Sequence, residues 1–148
     1  ILSLHNYEER SDFMLIIKEV EYAVMILDEL YHESPLSAAA LSTRRNIPSP
    51  FIYRVLKKLE ARDILEIRRG PKGGYSLKAD CEKLTLYDVI CAFENTFIVT
   101  ECLKSDYECV HNNDFNCRMH RQFAWIQHLL KEEFQKANLS SLLEEDPE

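Results

Sequence analysis

Glycine is scarce in this chain and tryptophan nearly absent: three glycines and one tryptophan stand among 148 residues. No run of 18 uncharged apolar residues occurs, which excludes an ordinary membrane-spanning helix. No Ser-His-Asp arrangement, phosphate loop or paired acidic motif gives an enzyme a place to start. The glycine-bearing turn does not match a phosphate loop, because Lys72 precedes Gly73 and a strand pattern follows where a helix is required. Five cysteines are an odd number, and Ile1 to Arg10 lacks the basic head and long apolar stretch of an export signal. The expectation is a cytoplasmic protein with free thiols or metal ligands in place of a closed disulfide set.

What is present suits one globular domain. Hydrophobic residues make up 46% and charged residues 29%, so disorder throughout is excluded. A chain of this length buries roughly 68–70% of the surface its unfolded state exposes, enough for a core without disulfides. The net charge of −7 is unevenly spread. From Thr43 to Lys78 there are ten cations and three anions, a local net of +7, which leaves −14 on the remainder. A basic patch on an acidic protein can still capture phosphates if its cations share a face.

Periodicity places the elements. Residues 1–13 read as a polar arm. Val20, Ala23, Val24, Leu27 and Leu30 recur at helical spacing, predicting a helix from about Lys18 to His32. Ser37 caps a short second helix to about Arg45. Asn46-Ile47-Pro48 breaks the chain. Ser49 is expected to cap a third helix to about Arg62, with Pro50 at its first position. That helix carries an apolar stripe, Ile52, Val55, Leu56 and Leu59, opposite Tyr53, Arg54, Lys57 and Lys58. Residues 64–68 and 75–77 read as paired strands, joined by a basic tip that contains all three glycines. Thr85 and Asp88 form a capping-box variant that starts a fourth helix. Residues 95–116 are irregular and cysteine-bearing. A last helix runs from about Arg118 to Lys136, with Phe123, Ile126, Leu130 and Phe134 on one stripe flanked by Trp125 and Leu129. That wide stripe can pack on its own core or on a second copy.

The expected fold is mainly α with a small β-hairpin wing, a winged helix-turn-helix followed by a long C-terminal helix. Such a third helix presents its cationic N-terminal face to the major groove of double-stranded DNA. Arg54 suits the bidentate contact to guanine O6 and N7. Tyr53 can reach a base edge or a phosphate, while Arg44, Arg45, Lys57 and Lys58 suit phosphates. Arg69 and Lys72 at the wing tip lie along the backbone or in the minor groove. Ser49, Phe51 and Gly73 complete the expected DNA-facing set.

Cys102, Cys109 and Cys117 follow the pattern Cys-x6-Cys-x7-Cys-x2-His, ending at His120. Three thiolates from one polar loop can wrap a thiophilic metal centre. Three Cys and one His also suit structural zinc. Cys91 lies beside the apolar stripe of the fourth helix and reads as a core residue. Cys81 has no evident partner, and His5, His32, His111 and His128 join no comparable constellation.

The runs Tyr53-Arg54-Val55-Leu56-Lys57-Lys58-Leu59, Arg69-Gly70-Pro71-Lys72-Gly73-Gly74-Tyr75 and Thr85-Leu86-Tyr87-Asp88-Val89-Ile90 resemble the Rrf2 family of bacterial transcription regulators. The resemblance covers residues 14–137 and is nearest to the cluster-binding IscR, NsrR and RirA type. It implies a homodimer held by the last helix on a palindromic operator, with neither membrane nor small-molecule substrate as partner. It implies that Tyr53, Arg54 and Arg69 occupy DNA-contact positions. It further implies a 2Fe–2S or 4Fe–4S cluster on the three loop cysteines, with zinc or cluster-free thiol sensing as alternatives. His120 and Glu21 are the candidates for a fourth ligand, Glu21 because relatives use an acidic residue there toward the partner's cluster. Cluster-binding relatives typically space these cysteines by five residues, against six and seven here. The resulting division is an arm (1–13), a winged helix-turn-helix (14–80), a helix and cluster loop (81–117), a dimerisation helix (118–137) and an acidic tail (138–148).

Overall fold

A computed structural model describes residues 16–94, 97–109 and 117–144. The predicted arm, residues 1–13, therefore lies outside the described residues. In chain order the elements are α1 (Lys18–His32), α2 (Ala38–Arg45), α3 (Ser49–Ala61), β1 (Leu65–Arg68), β2 (Gly74–Leu77), α4 (Leu86–Phe93), a 3₁₀ turn (Glu101–Leu103), α5 (Arg118–Lys136) and α6 (Leu139–Glu144). This is the winged helix-turn-helix expected from the sequence, mostly helical with one antiparallel hairpin.

The core gathers where α1, α2, α3 and the hairpin meet. Val20, Ala23, Ile26, Leu27 and Leu30 of α1 are buried against Leu41 of α2 and Ile52, Val55, Leu56 and Leu59 of α3. Ile26 takes the core place the periodicity had given to Val24, which is only half-buried. Ser37 caps α2 as its spacing predicts: its Oγ accepts from the Ala40 N–H at 3.1 Å. Asn46 ends α2 in the left-handed region at φ 50°, a conformation Asn tolerates. That reversal drops Ile47 into the core, 1% exposed. α3 then begins one residue before the expected start. Pro48 holds the cap position and its carbonyl accepts from Phe51 and Ile52, so Ser49 is already helical and does not cap.

The hairpin register pairs Leu65 with Leu77 and Arg68 with Gly74. A second contact ties the wing to the body, because Leu36 and Tyr75 exchange backbone hydrogen bonds at 3.1 and 2.8 Å. Gly74 makes that approach possible: at φ +150° a Cβ there would sit 2.6 Å from the Leu36 carbonyl oxygen. Gly73 is equally constrained, since a Cβ there would lie 2.0 Å from the Arg68 carbonyl oxygen.

Thr85 and Asp88 form the predicted reciprocal cap of α4. α5 packs on α4 and the 3₁₀ turn, with Phe134 edge-on to Phe97 at 5.3 Å and the Gln127 side-chain Oε1 accepting from the Val99 N–H at 3.0 Å. No residue of α5 is fully buried within the chain. The segment expected to be a tail from 138 contains α6 instead. Leu139 is 1% exposed and donates to the Leu84 carbonyl at 2.7 Å, and the Ser140 N–H donates to the Cys81 carbonyl. The reason is local: Asn138 Oδ1 accepts from the Ser141 N–H, capping the turn, and Leu139 and Leu143 find apolar partners that an acid-rich average conceals. No described helix is long and apolar enough to cross a membrane.

Candidate nucleic-acid interface

α3 buries one face completely and must leave the other outside. Its outward face carries Tyr53, 59% exposed, with Arg54 and Lys57 beside it. Ser49 is exposed at the start of the helix, and Phe51 is half-buried. The Arg54 guanidinium lies over the Phe51 ring, 5.4 Å from its centroid. Tyr22 of α1 packs edge-on against the other side of that arrangement, ring centroid 5.8 Å from Phe51. Arg54 Nη1 also donates to Glu19 Oε1 of α1 at 3.3 Å. Lys58 is half-buried, its Nζ over the Phe93 ring at 5.1 Å from the centroid.

Arg44 and Arg45 are engaged in ion pairs within the chain. Arg44 pairs with Glu33 at 2.7 Å and Glu29 at 3.2 Å, and Arg45 pairs with Glu29 at 2.7 Å and with Asp28. The Arg44 hydrogen bond and charge hold the Glu33 carboxyl below its ordinary pKa, and the same contacts raise that of Arg44. These two arginines clamp α2 to α1. The signal for this was present in the sequence, as Asp28, Glu29 and Glu33 fall on neighbouring positions of α1. The Glu19–Arg54 pair had no such signal, because the two residues are 35 positions apart. At the wing, Arg68 pairs with Glu66 at 3.0 Å. Among the described residues, Lys57, Arg69 and Lys72 make no ion pair, and all three are exposed.

Cys91, expected in the core, is half-buried on α4, whereas Cys81, for which no partner was evident, packs against the core. Cys102 lies in the 3₁₀ turn, with Sγ 3.9 Å from Thr100 Oγ1, Cys109 lies at the end of the described loop, and Cys117 caps α5 one turn before His120. All five are free thiols and none is fully buried. Among the described residues no three of His, Cys, Asp and Glu are gathered to hold a metal ion. Residues 110–116, between Cys109 and Cys117, lie outside the description. The donor set itself fits a thiophilic centre: three unpaired thiols, partly open to solvent, in one segment. Glu21 stands apart on α1, hydrogen-bonded by the Lys18 ammonium and bordering an apolar groove of about 370 Å³ between α1, Leu86 and Leu142.

Comparison with known proteins agrees with this geometry. A family model described as "Rrf2: Iron-dependent Transcriptional regulator" matches residues 16–145. An HTH-type transcriptional regulator of Aquifex aeolicus is 24% identical over 132 residues, 88% of this chain and 92% of that protein. The HTH-type transcriptional regulator IscR of Vibrio vulnificus is 32% identical over 92 residues, 60% of this chain and 55% of its own length. The structure of CymR, the global cysteine regulator of B. subtilis, superposes with a TM-score of 0.70 at 21% identity, over 91% of this chain and all of that one. This last likeness speaks to the fold alone.

Proposed function

The chain belongs to the Rrf2 family of transcriptional regulators, and on that premise we propose a homodimer that reads a palindromic DNA operator and senses iron, redox state or nitric oxide through a cluster on its loop cysteines. Members of this family are regulators of transcription and not enzymes. The observation that carries the DNA reading is the outward face of α3, where Tyr53, Arg54 and Lys57 stand together. The α3 face reads base edges through Arg54, while Lys57, Lys58, Arg69 and Lys72 meet phosphates.

Support for the dimer comes from α5. It buries nothing fully within its own chain yet leaves Met119, Trp125 and Leu129 exposed, at 60%, 56% and 38%. Apolar residues concentrated on one long helix mark an association surface. Two reading heads must sit about 34 Å apart, one helical turn of DNA, to occupy both half-sites.

Cys102, Cys109 and Cys117 would hold the cluster, with His120 or the partner subunit's Glu21 as fourth ligand. When bound, an iron–sulfur cluster supplies a thiolate-held centre whose charge follows its oxidation state. Cys117 is the residue at which α5 begins, and the Val99–Gln127 hydrogen bond ties the cysteine segment to the middle of that helix. A change at the thiols thus acts on the helix that sets the spacing of the two heads.

The test is anaerobic purification with iron, acid-labile sulfide and zinc measured per chain. Brown protein with iron and sulfide is expected, and Cys102→Ala, Cys109→Ala or Cys117→Ala each lose it. Full iron and sulfide in all three variants would sink the cluster. One zinc per chain and no colour would establish a structural Cys3His site instead. Arg54→Ala is expected to relax base preference by about 1–3 kcal/mol while the fold persists. An unchanged preference would remove Arg54 from the reading role.

A further inference from the structure

Arg54 is the most consequential cation of the interface, and it is held by two groups, one on α3 and one on α1. Phe51 lies beneath its guanidinium, Tyr22 braces Phe51, and Glu19 accepts a hydrogen bond from Nη1. Glu19 is the fixed partner of the pair: its side chain is 21% exposed against 55% for Arg54. It stands beside Val20, which is buried in the core, so its backbone cannot swing away with the ligand. The contact uses one nitrogen of the guanidinium, and the fork has further N–H donors to offer.

We propose that Glu19 is a positioning residue that reserves Arg54 for base edges and keeps it off phosphate. Two physical effects act together. The Phe51 face and the Glu19 carboxylate fix the plane of the guanidinium, and a fixed plane is what bidentate recognition of guanine requires. The carboxylate also places a negative charge beside Arg54, so an approaching phosphate meets repulsion that a neutral base edge does not. Specificity arises from the penalty as much as from the contact. The inference rests on α3 being the DNA-reading helix.

The test compares wild type, Glu19→Gln, Arg54→Ala and the double variant, all as full-length protein purified anaerobically. Operator sequences are first selected with wild type from randomised duplexes. Binding is then measured on the selected duplex and on a scrambled one across a salt series. Glu19→Gln is expected to bind scrambled DNA more tightly, to add about two units to the salt slope there, one for each protomer, and to lose about tenfold in the selected-to-scrambled ratio. In the Arg54→Ala background the same change is expected to leave the ratio unaltered, because Glu19 acts through Arg54. If Glu19→Gln keeps the full ratio, or lowers it equally in both backgrounds, the positioning role is overturned. A wild-type chain that selects no sequence at all would overturn the DNA-reading function itself, which is a different result.

Discussion

At Cys81 two effects push the thiol the same way. Partial burial against the core raises its pKa, and the Asp80 carboxylate next to it raises it further. The thiolate is the reactive form, so at neutral pH Cys81 carries less of it than an ordinary cysteine. Alkylation by iodoacetamide, followed by peptide-resolved mass spectrometry, is expected to be slower at Cys81 than at a free model thiol at pH 8. The gap should close as pH rises through its elevated pKa. If Cys81 is the fastest of the five, it becomes a candidate redox thiol. Single residues show where sequence reading succeeds and where it stops. Ser37, Thr85 and Asp88 cap what they were expected to cap, because a cap depends on neighbours three positions away. Arg44 and Arg45 suit phosphates by their charge and are found bonded to Asp28, Glu29 and Glu33, because the packing of α2 on α1 brings those acids within reach. Leu139 illustrates the opposite failure. Its acidic surroundings suggested solvent, and one buried leucine with two backbone hydrogen bonds to the segment before α4 was enough to fold a short helix there.

Elements are more legible than residues because their signals repeat. The stripes of α3 and α4 recur every three or four positions, and Ile52, Val55, Leu56 and Leu59, then Val89 and Ile90, are buried as that spacing requires. The wing is legible because its glycines have no other use: Gly73 and Gly74 sit where any side chain would strike the Arg68 or Leu36 backbone. α5 is the element whose stripe did not reveal its partner. Phe134 and Leu130 pack on the chain's own core, while Trp125 and Leu129 remain exposed. These two lie four positions apart and so share a face of the helix. If that face joins two copies, Trp125→Asp with Leu129→Asp places charge in an apolar contact and should convert the protein to monomer. Light scattering coupled to gel filtration measures this directly. Far-UV circular dichroism should be unchanged, since neither side chain belongs to the core. A doubly substituted protein that stays dimeric would move the interface away from this face of α5.

Across the whole molecule, formal charge overstates what DNA can use. The basic stretch from Thr43 to Lys78 carries a local net of +7 on a chain of net −7. Arg44 and Arg45 are neutralised by α1, and Arg54 is shared between Glu19 and the Phe51 ring. The cations assigned to phosphate on each protomer are Lys57, Lys58, Arg69 and Lys72. On the proposed dimer that makes about eight phosphate contacts, and counterion release then gives log affinity a slope of about −7 against log salt. Were Arg44 and Arg45 to leave their carboxylates for the DNA, about twelve contacts would form and the slope would approach −11. The two values are separated widely enough for a titration between 50 and 300 mM salt, about the range over which such slopes are linear, to decide. The shallower slope is expected, because releasing both arginines would leave Asp28, Glu29 and Glu33 without their arginine partners. Acid would change this balance in a definite direction. The Glu33 carboxyl has a lowered pKa, so its pairing with Arg44 persists at neutral pH and is lost only as pH falls through that depressed value. Below it Arg44 loses Glu33 and keeps only its contact with Glu29, so the α1–α2 clamp loosens and the slope should steepen. A slope near −11 already at neutral pH would mean that DNA competes successfully with α1 for these arginines, and that the helix-turn-helix rearranges on binding.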